Sequence, residues 1–129
     1  MNDLRLVVID YGAGNLRSVA KAFERFGITP LVSRDPQDVQ RADALVLPGQ
    51  GACHSAMLAL AQHGLTRAVR EAIERGIPFL GICIGLQLLF DTSEEGEVNC
   101  LGIIPGRVRR LPPGLKIPHM GWNTVHLET

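Results

Sequence analysis

The sequence predicts an open, doubly wound, parallel α/β sheet. Three observations carry that expectation. Short apolar runs alternate with segments of helical periodicity as far as residue 90. Glycine-rich turns follow the first, third and fourth apolar runs. The fourth run breaks at once into Gly81-Ile82-Cys83-Ile84-Gly85 and a helix-like run over residues 86–90, a strand turning sharply into a helix.

Residues 4–10 (LRLVVID) read as the first buried strand and residues 11–15 (YGAGN) as a turn. Leu16, Val19, Ala20, Phe23 and Phe26 then recur at helical spacing, with Gly27 placed to end the helix. Residues 29–33 form a short second strand. Asp35 and Pro36 suit the N-cap and first position of a helical turn over residues 35–39. Residues 44–47 make a third strand, stopped by Pro48-Gly49-Gln50-Gly51. Two helical segments follow over about 54–62 and 65–75. The second sets Leu65, Ala68, Val69, Ala72 and Ile73 on one face and ends at Gly76. Residues 77–82 supply the fourth strand.

Beyond residue 90 the pattern changes. Residues 91–99 read as an acidic loop, and 101–111 as β structure bent by Gly102, Pro105 and Gly106. Pro112-Pro113-Gly114 is a turn. Residues 117–128 suggest another β segment, with Val125 and Leu127 alternating against polar neighbours. A sheet of this kind ordinarily closes with further strands and a final helix. The expectation is therefore one domain over residues 1–129, the N-terminal part of a C-terminally incomplete chain.

Composition narrows the function classes. The 129 residues suffice for one domain with a core, and 46% are hydrophobic, which argues against disorder. Formal net charge is zero and no long basic run occurs, so nucleic acid and anionic membranes are poor partners. No apolar run approaches transmembrane length. Cys53, Cys83 and Cys100 are odd in number and widely spaced, which fits a reduced cytoplasmic protein better than a disulfide framework or a zinc site.

The Gly-x-Cys-x-Gly turn is the thiol form of a nucleophile elbow. Flanking glycines leave room for a sharp turn. A helix N-terminus beyond it offers free N–H groups and a positive dipole end, favouring thiolate and oxyanion. In such sheets ligands sit beyond the C-terminal strand ends, where all three glycine-rich turns fall. The N–H groups of the turn after the third strand and of Ile84 can together form an oxyanion hole. A buried inert cysteine and a plain strand exit are the competing structural readings. Gly12-x-Gly14 before a helix could cradle phosphate, but Arg17 stands where a dinucleotide fingerprint needs its third glycine.

These residues resemble a known family. Gly81-Ile82-Cys83-Ile84-Gly85-Leu86-Gln87 is similar to the G-x-C-x-G-x-Q signature of class I (triad-type) glutamine amidotransferases, whose fold is flavodoxin-like. Leu47-Pro48-Gly49-Gln50-Gly51 resembles that family's oxyanion strand, with Gln50 at a position often held by valine. The segments 10–18 (DYGAGNLRS) and 118–123 (PHMGWN) resemble the glutaminase subunits of imidazole glycerol phosphate synthases, enzymes of histidine biosynthesis. The resemblance runs from residue 4 to about 128.

The resemblance implies that Cys83 attacks the side-chain amide of glutamine. Gly49, Gln50, Gly51 and Ile84 would line the oxyanion and substrate site, and Gln87 would position glutamine. It implies no metal and no cofactor. It also implies a heterodimer in which a (β/α)8-barrel cyclase receives the ammonia. The cyclase then makes imidazole glycerol phosphate and an aminoimidazole carboxamide ribonucleotide. Asn15, His119, Met120, Trp122 and Asn123 would face that partner; for Trp122 the competing reading is core packing.

A thiolate nucleophile needs a base and a group to orient it. The family's His-Pro-Glu motif is absent from residues 1–129, so the triad histidine and glutamate are expected beyond Thr129. His54 and His63 bracket a helix and read as solvated. His126 and Glu128 share a strand face but follow Trp122 too closely to match the family's order. Cys53 lacks the elbow's glycines, although it lies near a helix start, and Cys100 opens an expected strand. Two alternatives remain at this level: a non-catalytic module docking on a cyclase, and a cysteine enzyme of the DJ-1/PfpI type.

Overall fold

The structure is a computed structural model that describes residues 3–114, 116 and 120–129. Four parallel strands form its centre: β1 (Leu6–Ile9), β2 (Leu31–Ser33), β3 (Ala44–Leu47) and β4 (Phe79–Gly81), in the order β2-β1-β3-β4. The register sets Val8 beside Val32 and Val46, and Val46 beside Leu80. All four β1 residues are buried. An uninterrupted apolar run is what a strand covered on both faces requires.

Strand alternation divides the core. Leu6, Val8 and Val46 face α1 (Leu16–Glu24) and pack with Leu16, Val19 and Phe23. Val7, Ile9, Leu45 and Leu47 face the other way, into a larger cluster. That cluster includes residues of α2 (Pro36–Gln40), α3 (Cys53–Gln62) and α4 (Leu65–Glu74). Helices on both faces of a parallel sheet are the predicted fold class. α1 leaves part of its face open: Phe23, Phe26, Leu80 and Ile82 help line an apolar trough of about 440 Å³. The trough lining contains no ionisable group, so it offers packing surface rather than chemistry.

Local signals hold closely in this half. The Asp35 carboxylate accepts from Gln37 N–H at 2.9 Å, with Pro36 at the first helical position. The Arg75 guanidinium donates to the Gln40 carbonyl at the other end of α2. α1 stops at Glu24, however, and Phe26, read as part of its apolar face, is 81% exposed beyond it.

The second half departs from expectation. The acidic loop contains a hairpin, β5 (Thr92–Ser93) with β6 (Val98–Asn99), and β7 (Arg107–Val108) adds parallel to β5. Within residues 101–111 only those two residues of β7 are strand, because Gly102 and Gly106 take positive φ and interrupt extension. Cys100 follows β6 rather than opening a strand. None of residues 120–129 is strand, and Val125 and Leu127 are exposed; alternation alone forms no strand without a neighbour to pair with. Among the described residues no helix is long and apolar enough to cross a membrane.

Candidate functional site

Three glycine-rich turns meet at the C-terminal ends of β1, β3 and β4, and they meet as bare backbone. A Cβ on Gly14 would lie 3.2 Å from the Gly49 nitrogen and from the Pro48 Cβ. One on Gly49 would run into the Tyr11 hydroxyl and lie 3.0 Å from the Gly85 nitrogen and the Ile84 Cβ. On Gly85 it would overlap the Leu47 carbonyl, and on Gly81 it would sit 2.8 Å from the Gly85 oxygen. Only hydrogen at these positions lets the first turn, the turn after β3 and the elbow stack.

Cys83 stands at the top of the stack, exposed, with φ 55° and ψ −116°. That conformation is costly for a side-chain-bearing residue, and such strain collects where a structure holds a reactive group in place. The chain then enters α5 (Ile84–Gln87). Gly85 N–H bonds to Ile82 O at 2.9 Å, and Leu86 and Gln87 N–H bond to Cys83 O at 3.0 and 3.1 Å. Among the described residues the N–H of Ile84 has no acceptor, so it remains available to an oxyanion.

One expectation needs correction. α5 is only four residues long and continues as i→i+3 turns through Leu89 and Phe90. A helix that short builds little macrodipole, so local N–H groups, not the dipole, are its electrostatic contribution.

The floor beneath the elbow holds groups that sequence reasoning missed. Tyr11, the only tyrosine, is buried and donates to the Pro48 carbonyl at 2.6 Å. Burial, with the neighbouring Cys53 and Cys83 thiols, pushes its phenol up to about 12. An aromatic polar residue directly after a buried strand was the available signal. Cys53 starts α3, as its place in the sequence suggested, and is fully buried, donating to Gln87 Oε1 at 3.4 Å. Cys100 is buried too, and burial, with Cys53 beside it, pushes its thiol up to about 11. Asp10 pairs with Arg34 at 2.9 Å and accepts from Gly12 N–H. Burial raises its carboxyl, but these partners outweigh burial and hold it below the usual carboxylate range.

The other sequence-predicted residues fall into two groups. Gly49, Ile84 and Gln87 gather at the elbow, and Gln50 and Gly51 continue the β3 turn at the surface. Asn15 caps α1, accepting from Ser18 N–H. Met120, Trp122 and Asn123 are exposed, and Trp122 is open on all sides rather than packed in the core. His119 and Pro118 lie outside the described residues. His54 is exposed, His63 half-buried, and His126 and Glu128 exposed. None of these three histidines hydrogen-bonds Cys83. Among the described residues no cluster of metal-ligating side chains forms.

Comparison with known proteins gives the family. The family model described as glutamine amidotransferase class-I matches residues 7–128. The chain is 55% identical over 121 residues to "Imidazole glycerol phosphate synthase subunit HisH" of Moorella thermoacetica, covering 93% of this chain and 58% of that protein. It is 55% identical over 129 residues to the protein of the same name from Synechococcus sp. (strain JA-3-3Ab), covering 98% and 60%. It is 56% identical over 121 residues to that of Methanothermobacter thermautotrophicus, covering 93% and 60%. The chain thus spans about three-fifths of the length of these curated relatives. A solved "Crystal structure of glutamine amidotransferase" superposes with a TM-score of 0.73 at 24% identity, over 86% of this chain and 59% of that one, a likeness of fold.

Proposed function

The chain belongs to the class I glutamine amidotransferases, and on that footing we propose that it is the nucleophile-bearing part of the glutaminase subunit of an imidazole glycerol phosphate synthase. The observation that carries the reading is Cys83 itself, an exposed thiol held at φ 55° over a backbone floor beside the free N–H of Ile84.

In this reading the Cys83 thiolate attacks the side-chain carbonyl carbon of glutamine. The carbonyl electrons move onto oxygen, and the N–H groups of Ile84 and the Gly49–Gly51 turn hold that charge. The carbon–nitrogen bond breaks, nitrogen takes a proton, and ammonia leaves a γ-glutamyl thioester. Water then adds to the thioester, the carbon–sulfur bond breaks, and glutamate and the thiolate are released. The base that takes the thiol proton and returns it to nitrogen comes from outside the described residues.

The ammonia passes to a cyclase in a heterodimer, where it becomes part of imidazole glycerol phosphate, with an aminoimidazole carboxamide ribonucleotide as co-product. Exposed Met120 and Trp122 support a docking role for that segment, and the family resemblance of the motifs that carry Asn15, His119 and Asn123 supports the same role for them. The three free cysteines suit a reducing cytoplasm.

The test is 6-diazo-5-oxo-norleucine, a glutamine-shaped electrophile, applied to the subunit in complex with its cyclase. Labelling at Cys83, prevented by glutamine, is expected. Cys83→Ala is expected to lose glutamine-dependent synthesis and keep ammonia-dependent synthesis. Absence of label at Cys83, or equal loss of both activities, overturns the reading.

A further inference from the structure

We propose that Cys53 is a positioning residue that fixes which way the Gln87 side-chain amide faces, so that Gln87 meets the substrate as a hydrogen-bond donor. The inference rests on the glutaminase reading of Cys83 and concerns how glutamine is held beside it.

Gln87 lies one helical turn beyond Cys83, its N–H bonded to the Cys83 carbonyl. Its side-chain amide has one accepting end and one donating end, and rotation by half a turn exchanges them. A free amide at the edge of a cleft would sample both. The Cys53 thiol removes that freedom. A thiol donates to oxygen and has little to offer an N–H, and Cys53 Sγ sits 3.4 Å from Gln87 Oε1. Cys53 cannot turn away, because it is fully buried as the first residue of α3, between the Pro48–Ala52 turn and the floor of the elbow. Cys100 lies beside it in the same buried cluster. With Oε1 engaged, Nε2 is the end left over, and among the described residues it has no acceptor. It can donate to an oxygen of glutamine, a carbonyl or a carboxylate.

The arrangement also couples two parts of the site. Cys53 follows the turn whose N–H groups are assigned to the oxyanion, and its thiol reaches the residue assigned to substrate positioning. A shift of the turn therefore moves the anchor of Gln87.

The experiment measures the half-saturating glutamine concentration of the complete synthase complex, wild type and variants. Cys53→Ala removes the donor and frees the amide to sample both orientations, so the competent fraction falls to about half and that concentration rises about twofold. The effect falls on half-saturation more than on turnover. Cys53→Ser keeps a donor and restores the wild-type value. Gln87→Glu, whose carboxylate cannot donate, raises it more than tenfold. In the Gln87→Ala background, Cys53→Ala adds nothing further. Alkylation of Cys83 by iodoacetamide, which recognises no glutamine, keeps its rate in Cys53→Ala.

The inference is overturned if Cys53→Ala leaves half-saturation unchanged, if Cys53→Ser behaves like Cys53→Ala, or if the effect persists without Gln87. Retention of glutamine affinity by Gln87→Glu overturns it too, and that arm does not depend on how well a Cys53 variant folds. A wild-type complex that hydrolyses no glutamine removes the glutaminase reading and this inference together. A wild type that hydrolyses glutamine beside indifferent Cys53 variants removes the inference alone.

Discussion

The hydroxyl of Tyr11 donates a 2.6 Å hydrogen bond to the carbonyl oxygen of Pro48, and both residues are buried. This bond ties the end of β1 to the end of β3. It also brings the phenol against Gly49, the residue on which Ile84 and Gly85 rest. A polar contact beneath the site thus sets the height of the turn to which we assign oxyanion donors.

Tyr11→Phe keeps the ring and leaves the Pro48 carbonyl buried without its partner. A loss of about 1–3 kcal/mol is expected, read as a lower midpoint in urea denaturation. An unchanged midpoint would mean that water replaces the hydroxyl.

Alkaline pH is expected to weaken the fold through two buried groups. Burial raises Cys100 from its ordinary 9.0 to about 11 and Tyr11 from 10.0 to about 12. Between those values the unfolded chain has lost protons that the folded chain keeps, so stability falls as pH rises. The contribution is complete below about pH 9 and gone above about pH 12, at roughly 2 kcal/mol per group. Denaturation midpoints from pH 8 to 12 should trace this decline. Tyr11→Phe should confine it to the earlier window, near pH 9–11.

Cys83 holds a conformation that glycine adopts without strain. Cys83→Gly should therefore be more stable than Cys83→Ala by about 1 kcal/mol, although glycine ordinarily loosens a chain. Thermal melts of the two variants decide it, and the opposite order would show that the elbow stores no strain.

Gly85→Ala should be far more damaging than Gly12→Ala. The new methyl overlaps the Leu47 carbonyl in the first case and meets nothing within 4 Å in the second, where only φ 91° opposes it. Costs of roughly 3 and 1 kcal/mol respectively are expected, and urea midpoints give the ranking.

Where local chemistry decides structure, the sequence was readable. Residues 44–47 form β3 as read, because four apolar residues between a polar segment and Pro48-Gly49 have one economical use. Asp35-Pro36 starts α2 for reasons contained within three residues. Glycines at fixed offsets around Cys83 revealed the elbow. Where a partner decides structure, the sequence was ambiguous. Val125 and Leu127 alternate like a strand but pair with nothing among the described residues. Phe26 keeps helical spacing but lies past the helix end. The Cys53–Gln87 contact joins residues 34 apart in sequence, and no periodicity links the start of α3 to a side chain in α5.

The stack of bare turns has a practical corollary for mutagenesis. An alanine scan of this site would pass over the oxyanion donors proposed above, since truncating a side chain deletes no amide. The side chain of Gln50 is exposed, while a Cβ on Gly49 or Gly85 would clash with its neighbours. Removing one donor at a time calls for backbone chemistry, such as replacing the Cys83–Ile84 amide by an ester in a semisynthetic chain.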